Sequence, residues 1–242
     1  RMSGGRGNRN GPDGVKIGYI MQEGCPDIRQ RPLTGPANHV LKVYRELQAL
    51  GHELCFLARY DGQIWKSDRL ESFKAASVHR YDHGWRRAAE RGVRGIQSRL
   101  SLPYANWFES LRFAAACRQQ LGDRDVFYER LGWMSYGAGL AAKRLGIPLV
   151  LEVNNGDFIT ELERLGVAPQ GFQRRLAIGI MRRSIHRADY VVATGEGHRR
   201  RIIEWWKIAP ERVSTIENGS DLVHLLKREE LRAFCDPGGP LE

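Results

Sequence analysis

Asp125-Val126-Phe127-Tyr128-Glu129-Arg130, then a glycine-rich helical segment, then Gly146-Ile147-Pro148-Leu149-Val150-Leu151-Glu152-Val153-Asn154, is the stretch that decides the fold. Two short apolar runs flank a helical pattern, the arrangement of a strand, a crossover helix and a second buried strand. Each run ends abruptly in polar residues. Ligands in open α/β sheets bind just outside the carboxyl ends of strands. Glu129 and Arg130 stand at that edge on the first strand, and Glu152, Asn154 and Asn155 on the second.

The same alternation extends both ways. Lys16 to Met21 reads as a first strand, followed by a long loop from Gln22 to Thr34 rich in Pro, Gly and charge. Long loops in compact domains are often functional. Gly35 to Leu50 reads as a helix with Val40, Val43, Tyr44, Leu47 and Leu50 on one apolar face, closed by Gly51. Glu53 to Ala58 is a second strand. The region Tyr60 to Leu102 is less regular. A short strand is expected at Val78 to Tyr81, and Trp85 to Leu100 carries an apolar stripe opposite Arg87, Arg91 and Arg94. Gly92 and Gly95 weaken that helix. Helices follow at Pro103 to Leu121, Ser135 to Leu145, Phe158 to Leu165, Phe172 to His186 and Glu196 to Trp206. The remaining strands fall at Val126 to Glu129, Leu149 to Val153, Tyr190 to Ala193 and Val213 to Ile216, and a terminal helix is expected from Leu226 to Phe234.

Strands alternating with helices predict an α/β fold with a doubly wound, mostly parallel sheet covered on both faces. The 242 residues are enough to bury a sizeable core. One domain is expected over 15–221. Before it, 1–14 reads as a disordered leader without the apolar core of a signal peptide. Residues 222–240 read as a linker or terminal helix, and 241–242 as a cloning scar.

No stretch approaches the roughly 20 apolar residues of a membrane span. Cys25, Cys55, Cys117 and Cys235 show neither zinc nor disulfide spacing, which fits a reducing, cytoplasmic setting. The net charge of +10 favours anionic partners, whether phosphates, nucleotides, an acidic lipid surface or nucleic acid, and does not choose among them. No helix-turn-helix or RNA-recognition pattern is visible, so nucleic acid is not an expected partner.

Four segments together resemble the N-terminal half of a GT-B glycosyltransferase of family 4. They are Gly35-Pro36-Ala37-Asn38-His39-Val40 running on to Gly51-His52-Glu53; Tyr128-Glu129-Arg130 with Gly139-Leu140-Ala141 and Leu145-Gly146-Ile147-Pro148; Leu151-Glu152-Val153-Asn154 with Glu161; and Ala188-Asp189 through Ile216-Glu217-Asn218-Gly219-Ser220-Asp221. The resemblance implies two Rossmann-like domains facing across a cleft, this one on the acceptor side and a C-terminal donor domain beyond it. It further implies retaining, metal-independent transfer of a hexosyl-type group from a nucleotide-diphosphate sugar, with no tightly bound cofactor. The acceptor would be a saccharide, a lipid-linked molecule or a small molecule. An isolated fragment would be inactive, and no catalytic residue is assigned. The sequence departs from the family's pattern at Pro36, where a second glycine is common, at Glu217 and Ser220, where proline and valine are usual, and at Asn154, where many members carry histidine.

Each candidate residue carries a functional and a structural reading. Gly35 opens a helix and suits a donor-phosphate contact, or is a turn glycine. His39 suits a sugar hydroxyl or phosphate, or is a surface histidine. Glu129 and Arg130 suit acceptor recognition, or pair as a structural ion pair. Asn154, Asn155 and Asp157 suit hydroxyl recognition, and also make a strong turn. Glu161 faces the acceptor cleft or caps its helix. Asn218, Gly219 and Asp221 build a turn at an interdomain hinge. The arginines from Arg86 to Arg99 and at Arg199-Arg200-Arg201 are solvated faces or peripheral contacts with an anionic membrane. The alternative to an enzyme is a non-catalytic Rossmann-like binding module for a sugar, a lipid head group or a protein partner.

Overall fold

The computed structural model describes residues 14–23, 26–78, 84–100, 107–154, 156 and 158–217. Strands β1 (Lys16–Met21), β2 (Glu53–Tyr60), β3 (Gln63–Ser67), β4 (Lys74–Ala75), β5 (Val126–Arg130), β6 (Leu149–Val153), β7 (Tyr190–Ala193) and β8 (Val213–Thr215) form one sheet in the order β4-β3-β2-β1-β5-β6-β7-β8. The helices are α1 (Gly35–Ala49), α2 (Trp85–Arg99), α3 (Trp107–Gln120), α4 (Gly137–Leu145), α5 (Ile159–Arg164), α6 (Gly171–Arg187) and α7 (Glu196–Trp206). The pairs from β2 through β8 are all parallel. The direction of winding reverses between β1 and β5, which makes their carboxyl ends the switch point where such sheets bind ligands.

Two cores flank the sheet. Tyr19, Tyr44 and Phe56 pack beneath α1 as a set of edge-on and stacked rings, with Tyr60 buried in the same cluster. The larger core, including Phe113, Phe127, Leu151, Met181 and Trp206, lies under α3, α4, α6 and α7. Cys55 and Cys117 are buried free thiols within it, as small apolar residues are expected to be. Among the described residues no helix is long and apolar enough to cross a membrane.

Helix α1 begins at Thr34, whose hydroxyl accepts from the Ala37 N–H. It ends in a Schellman turn. Gly51, at φ +87, donates to the Gln48 carbonyl, and His52 donates to the Leu47 carbonyl. Val40 and Tyr44 are buried, as their spacing predicts, but Leu50 falls past the last turn and is exposed.

The sequence reading differs from the structure mainly between residues 60 and 100. Strand β2 runs two residues beyond Ala58 and returns through Asp61-Gly62 into β3, antiparallel to it. Asp-Gly between apolar runs is a strong hairpin signal, and both residues take positive φ. The edge strand lies at Lys74–Ala75, not at Val78, which is buried but outside any strand. Residues 79–81 of that expected strand lie outside the described residues. So do residues 1–13 of the expected leader, the first residues of the helix read from Pro103, and the expected helix from Leu226.

At the switch point the chain passes itself closely. Gln22, at the end of β1, accepts from the Gly137 N–H at 2.8 Å and donates to the Ser110 hydroxyl at 2.7 Å. A Cβ on Gly137 would lie 2.5 Å from Gln22 Oε1 and 2.7 Å from the Ser110 carbonyl oxygen. Gly137→Ala is therefore expected to cost about 1–3 kcal/mol of unfolding free energy in urea titration. A change below about 0.5 kcal/mol would show that this crossing yields more easily than its geometry implies.

Candidate functional site

Period-two alternation along β5 sends its side chains to opposite faces. Tyr128 and Arg130 lie on the α1 face, with Tyr19 beside Tyr128 and Glu152 beside Arg130 in the cross-strand register. Glu129 lies on the other face, between Ile20 and Leu151.

On the α1 face, buried Glu152 is the centre of a polar cluster. Its Oε1 faces His39 Nε2 at 3.1 Å and accepts from Asn154 Nδ2 at 2.7 Å. Its Oε2 accepts from the Tyr128 hydroxyl at 2.6 Å. Burial alone would raise the Glu152 pKa, but the bonds from His39, Tyr128 and Asn154 outweigh it and hold the carboxyl below its ordinary value. An ionised Glu152 can only accept, so His39 carries its proton on Nε2. The Nδ1 atom has no partner among the described residues, and the side chain is partly exposed. Tyr128 shows the converse effect: burial, followed by the Glu152 charge, pushes its hydroxyl pKa well up and keeps it a donor.

Arg130 reaches from the end of β5 to the first turn of α1, where its guanidinium donates to the Pro36 carbonyl at 3.4 Å. In that turn Ala37 N–H bonds to the Thr34 hydroxyl and Asn38 N–H to the Thr34 carbonyl, while Pro36 has no N–H. The Gly35 N–H has no acceptor among the described residues, and the place a Cβ would occupy there is open. The edge continues past β6, where the Asn154 carbonyl accepts from Thr194, whose hydroxyl lies 3.0 Å from His198 Nδ1.

Gly35, His39, Arg130 and Asn154 are thus brought together by α1, β5 and the end of β6. Glu129 is not among them. It is wholly buried in the larger core, its Oε1 has no hydrogen-bond partner among the described residues, and burial pushes its pKa up to about 8. The alternation of β5 already carried this correction, because Tyr128 and Glu129 cannot share a face. Nor does Glu129 pair with Arg130. Glu161, on the first turn of α5, makes no hydrogen bond or ion pair with the cluster among the described residues. Asn155, Asp157, Asn218, Gly219 and Asp221 lie outside the described residues.

Residue-by-residue reading missed Tyr128 as a ligand-edge group and Glu152 as its hub. Their partners are distant in sequence, and only the cross-strand register joins them. It also missed Glu23 in the loop after β1, which accepts from the Trp133 N–H at 2.9 Å across the switch point. Burial raises the Glu23 pKa, opposed by that N–H and by Arg59 and Arg130. Among the described residues of that loop, Arg29 pairs with Asp27 and with Asp61 beyond it, and lies 4.4 Å over the Tyr60 ring. Among the described residues no group of three or more His, Cys, Asp or Glu could hold a metal ion.

Residues 34–219 match the family model described as a glycosyl transferase 4-like domain. Among solved structures, the chain is similar to Anabaena Alr3699/HepE in complex with UDP and glucose, at 14% identity over 86% of this chain and 46% of that one, with a TM-score of 0.46. It is similar to the same protein in complex with UDP at 14% identity over 91% and 49%, TM-score 0.46. It is also similar to a glycosyltransferase from Rickettsia africae ESF-5 at 13% identity over 92% and 48%, TM-score 0.43. The chain spans about half the length of these structures. No curated protein matches it significantly.

Glu129 gives the site's opposite face a pH signature. The carboxyl ionises near 4.5 when unfolded and near 8 when folded. Within that window the folded state keeps a proton that the unfolded state has released, so stability falls as pH rises, by at most about 1.4 kcal/mol per unit. Glu129→Gln removes this loss. Its stability relative to the natural chain is expected to grow by on the order of a few kcal/mol between about pH 5 and 8. A pH-independent difference would mean that Glu129 ionises normally.

Proposed function

The chain belongs to the glycosyl transferase 4-like family, and from that premise we propose that it is the acceptor-side half of a retaining, nucleotide-sugar-dependent glycosyltransferase. The observation that carries the reading is the buried Glu152 carboxylate holding His39, Tyr128 and Asn154 beside Arg130 at the carboxyl edge of the sheet. Ionised carboxylates, amides and imidazoles in fixed orientations discriminate hydroxyl-bearing ligands, because a ligand lacking the hydroxyl leaves the protein's polar groups unpaired.

In this reading His39 Nδ1 accepts a hydrogen bond from the acceptor hydroxyl, and Asn154 fixes a neighbouring hydroxyl. Asn155, Asp157 and Glu161 extend the same acceptor face. The Gly35 N–H and Arg130 meet phosphate oxygens of a nucleoside diphosphate sugar, whose remaining contacts belong to a second, C-terminal domain reached through a hinge at Asn218, Gly219 and Asp221. The acceptor oxygen bonds to the sugar's anomeric carbon as its bond to the phosphate oxygen breaks, with retention. The hydroxyl proton passes to the departing phosphate, and preorganised N–H groups rather than a metal stabilise the charge developing there. The transferred group is a hexosyl, and the acceptor is a saccharide, a lipid-linked molecule or a small molecule. A cytoplasmic setting belongs to the same reading, and the buried free thiols Cys55 and Cys117 support it.

His39→Ala and Asn154→Ala in the two-domain protein are expected to lower kcat/KM for the acceptor by about 10- to 100-fold while the donor KM moves less than about threefold. Steady-state kinetics with each substrate varied in turn checks this. Unchanged acceptor kinetics in both variants would remove the acceptor assignment. The 242-residue chain alone is expected to give no turnover, and robust turnover from it would remove the need for a second domain.

A further inference from the structure

Helix α2 turns charge, not its apolar stripe, toward the rest of the protein. Trp85, Val93, Ile96 and Leu100 of the stripe are exposed, whereas Glu90 is buried. Between this helix, the first turn of α3 and the edge formed by β3 and β4 lies a cavity of about 600 Å³, the size of a small-molecule site. Arg87, Glu90, Arg91 and Arg94 line it from α2, at the spacing of one helical face, and Glu109 and Arg112 line it from α3. Ile64 and Val78 add apolar surface.

The cavity holds more positive charge than its own acids neutralise. Glu90 receives Arg112 at 2.6 Å and Arg94 at 2.7 Å. Glu109 receives the same two guanidiniums, Arg112 at 3.4 Å, and lies 3.7 Å from Arg59 of β2. The guanidiniums of Arg87 and Arg91 make no ion pair or hydrogen bond among the described residues. Four guanidiniums against two carboxylates leave an excess of two positive charges in the lining. The position is also that of a ligand site. Strand β2 ends at Tyr60 on the carboxyl edge and turns through Asp61-Gly62, and Gly62 and Gln63 line the cavity. Ser110, next to Glu109, accepts from the Gln22 amide at the switch point, and Arg59 donates to the Gln22 carbonyl.

We propose that this cavity binds a saccharide residue bearing a carboxylate. Arg87 and Arg91 stand one helical turn apart, and guanidiniums meet a carboxylate through charge-assisted hydrogen bonds. Glu90 and Glu109 can only accept when ionised, so a ligand seated beside them brings donors along with its charge. The hydroxyls of a sugar acid supply those donors, and its C–H surface meets Ile64 and Val78. A bare inorganic anion would offer the two carboxylates little but like charge. The cavity lies on the larger-core face of the sheet, opposite the Glu152 cluster. An acceptor that engages both would cross the carboxyl edge and carry its acid on a residue other than the reacting one. The charge the ligand carries does not depend on the transferase reading, but its place within the acceptor rests on that reading.

The test is calorimetric titration of the full chain with methyl glucuronide, with methyl glucoside as the neutral reference. The glucuronide is expected to bind at least about tenfold more tightly. The double variant Arg87→Gln with Arg91→Gln is expected to lose at least about tenfold in affinity for the glucuronide and to leave the glucoside unchanged. Arg182→Gln with Arg183→Gln removes the same charge from exposed positions of α6 that do not line the cavity, and is expected to change neither. All four arginines are exposed, and a thermal melt confirms that each variant is folded. Equal affinity for the two sugars overturns the proposal. So does glucuronide binding indifferent to the Arg87 and Arg91 changes, which would assign it to charge elsewhere. Inorganic phosphate binding more tightly than the glucuronide also overturns it, by making this a site for a bare anion. Binding needs no transfer step. Glucuronide binding by a two-domain protein that transfers nothing supports this proposal and removes the transferase reading, and transfer to neutral saccharides without glucuronide binding does the reverse.

Discussion

A carboxylate buried among three donors governs the candidate site. Glu152 contributes no apolar area to either core, and an ionised carboxyl out of water is costly unless each oxygen is satisfied. The three partners come from different parts of the chain: His39 from α1, Tyr128 from β5 and Asn154 from the turn after β6. Moving any one element would strip a donor from the buried charge, so α1, β5 and the turn after β6 are coupled through Glu152. The first turn of α1 is held over the switch point in this way. That placement puts the Gly35 N–H, Arg130 and the exposed edge of His39 on one side of the sheet's carboxyl end.

The two glutamates of neighbouring strands show how far local environment outweighs residue type. Glu129 and Glu152 both end parallel strands, yet one is held ionised by donors and the other is pushed toward neutrality by the apolar residues around it. Their difference comes from the pleat. Arg130 faces Glu152 across the ladder, while Glu129 faces Leu151. The neutral form of Glu129 costs less in the larger core than an ion would, but its Oε1 remains without a partner. Glu129 therefore makes no contact at the ligand edge.

Much of the fold was legible in the residues themselves. The bounds of β1, β6, β7 and α7 follow from apolar runs closed by polar or glycine residues, and the structure has them at the same positions. The β2–β3 hairpin was legible too, in Asp61-Gly62, but an alternating βα pattern on either side masked an antiparallel return. The site was legible only as an edge. Strand ends named Arg130 and Asn154, whereas the hydrogen bond from His39 to Glu152 joins residues 113 apart in sequence, and no local pattern announces it. Helix α2 marks a different limit. Periodicity finds an apolar face but does not say which way it points, and the ion pairs among Glu90, Arg94, Glu109 and Arg112 turned it outward.

Two surfaces of opposite character therefore depend on buried carboxylates: a polar edge organised by Glu152, and an apolar stripe displayed by Glu90 and Glu109. The central claim concerns the first, and a double-mutant cycle between His39 and Glu152 tests it most directly. Unfolding free energies of His39→Ala, Glu152→Gln and the double variant are compared with that of the natural chain. The account predicts a coupling of about 1–2 kcal/mol between the two positions, as for partners in one buried network. Additivity to within about 0.3 kcal/mol would contradict it, because α1 and the end of β6 would then be held in place independently.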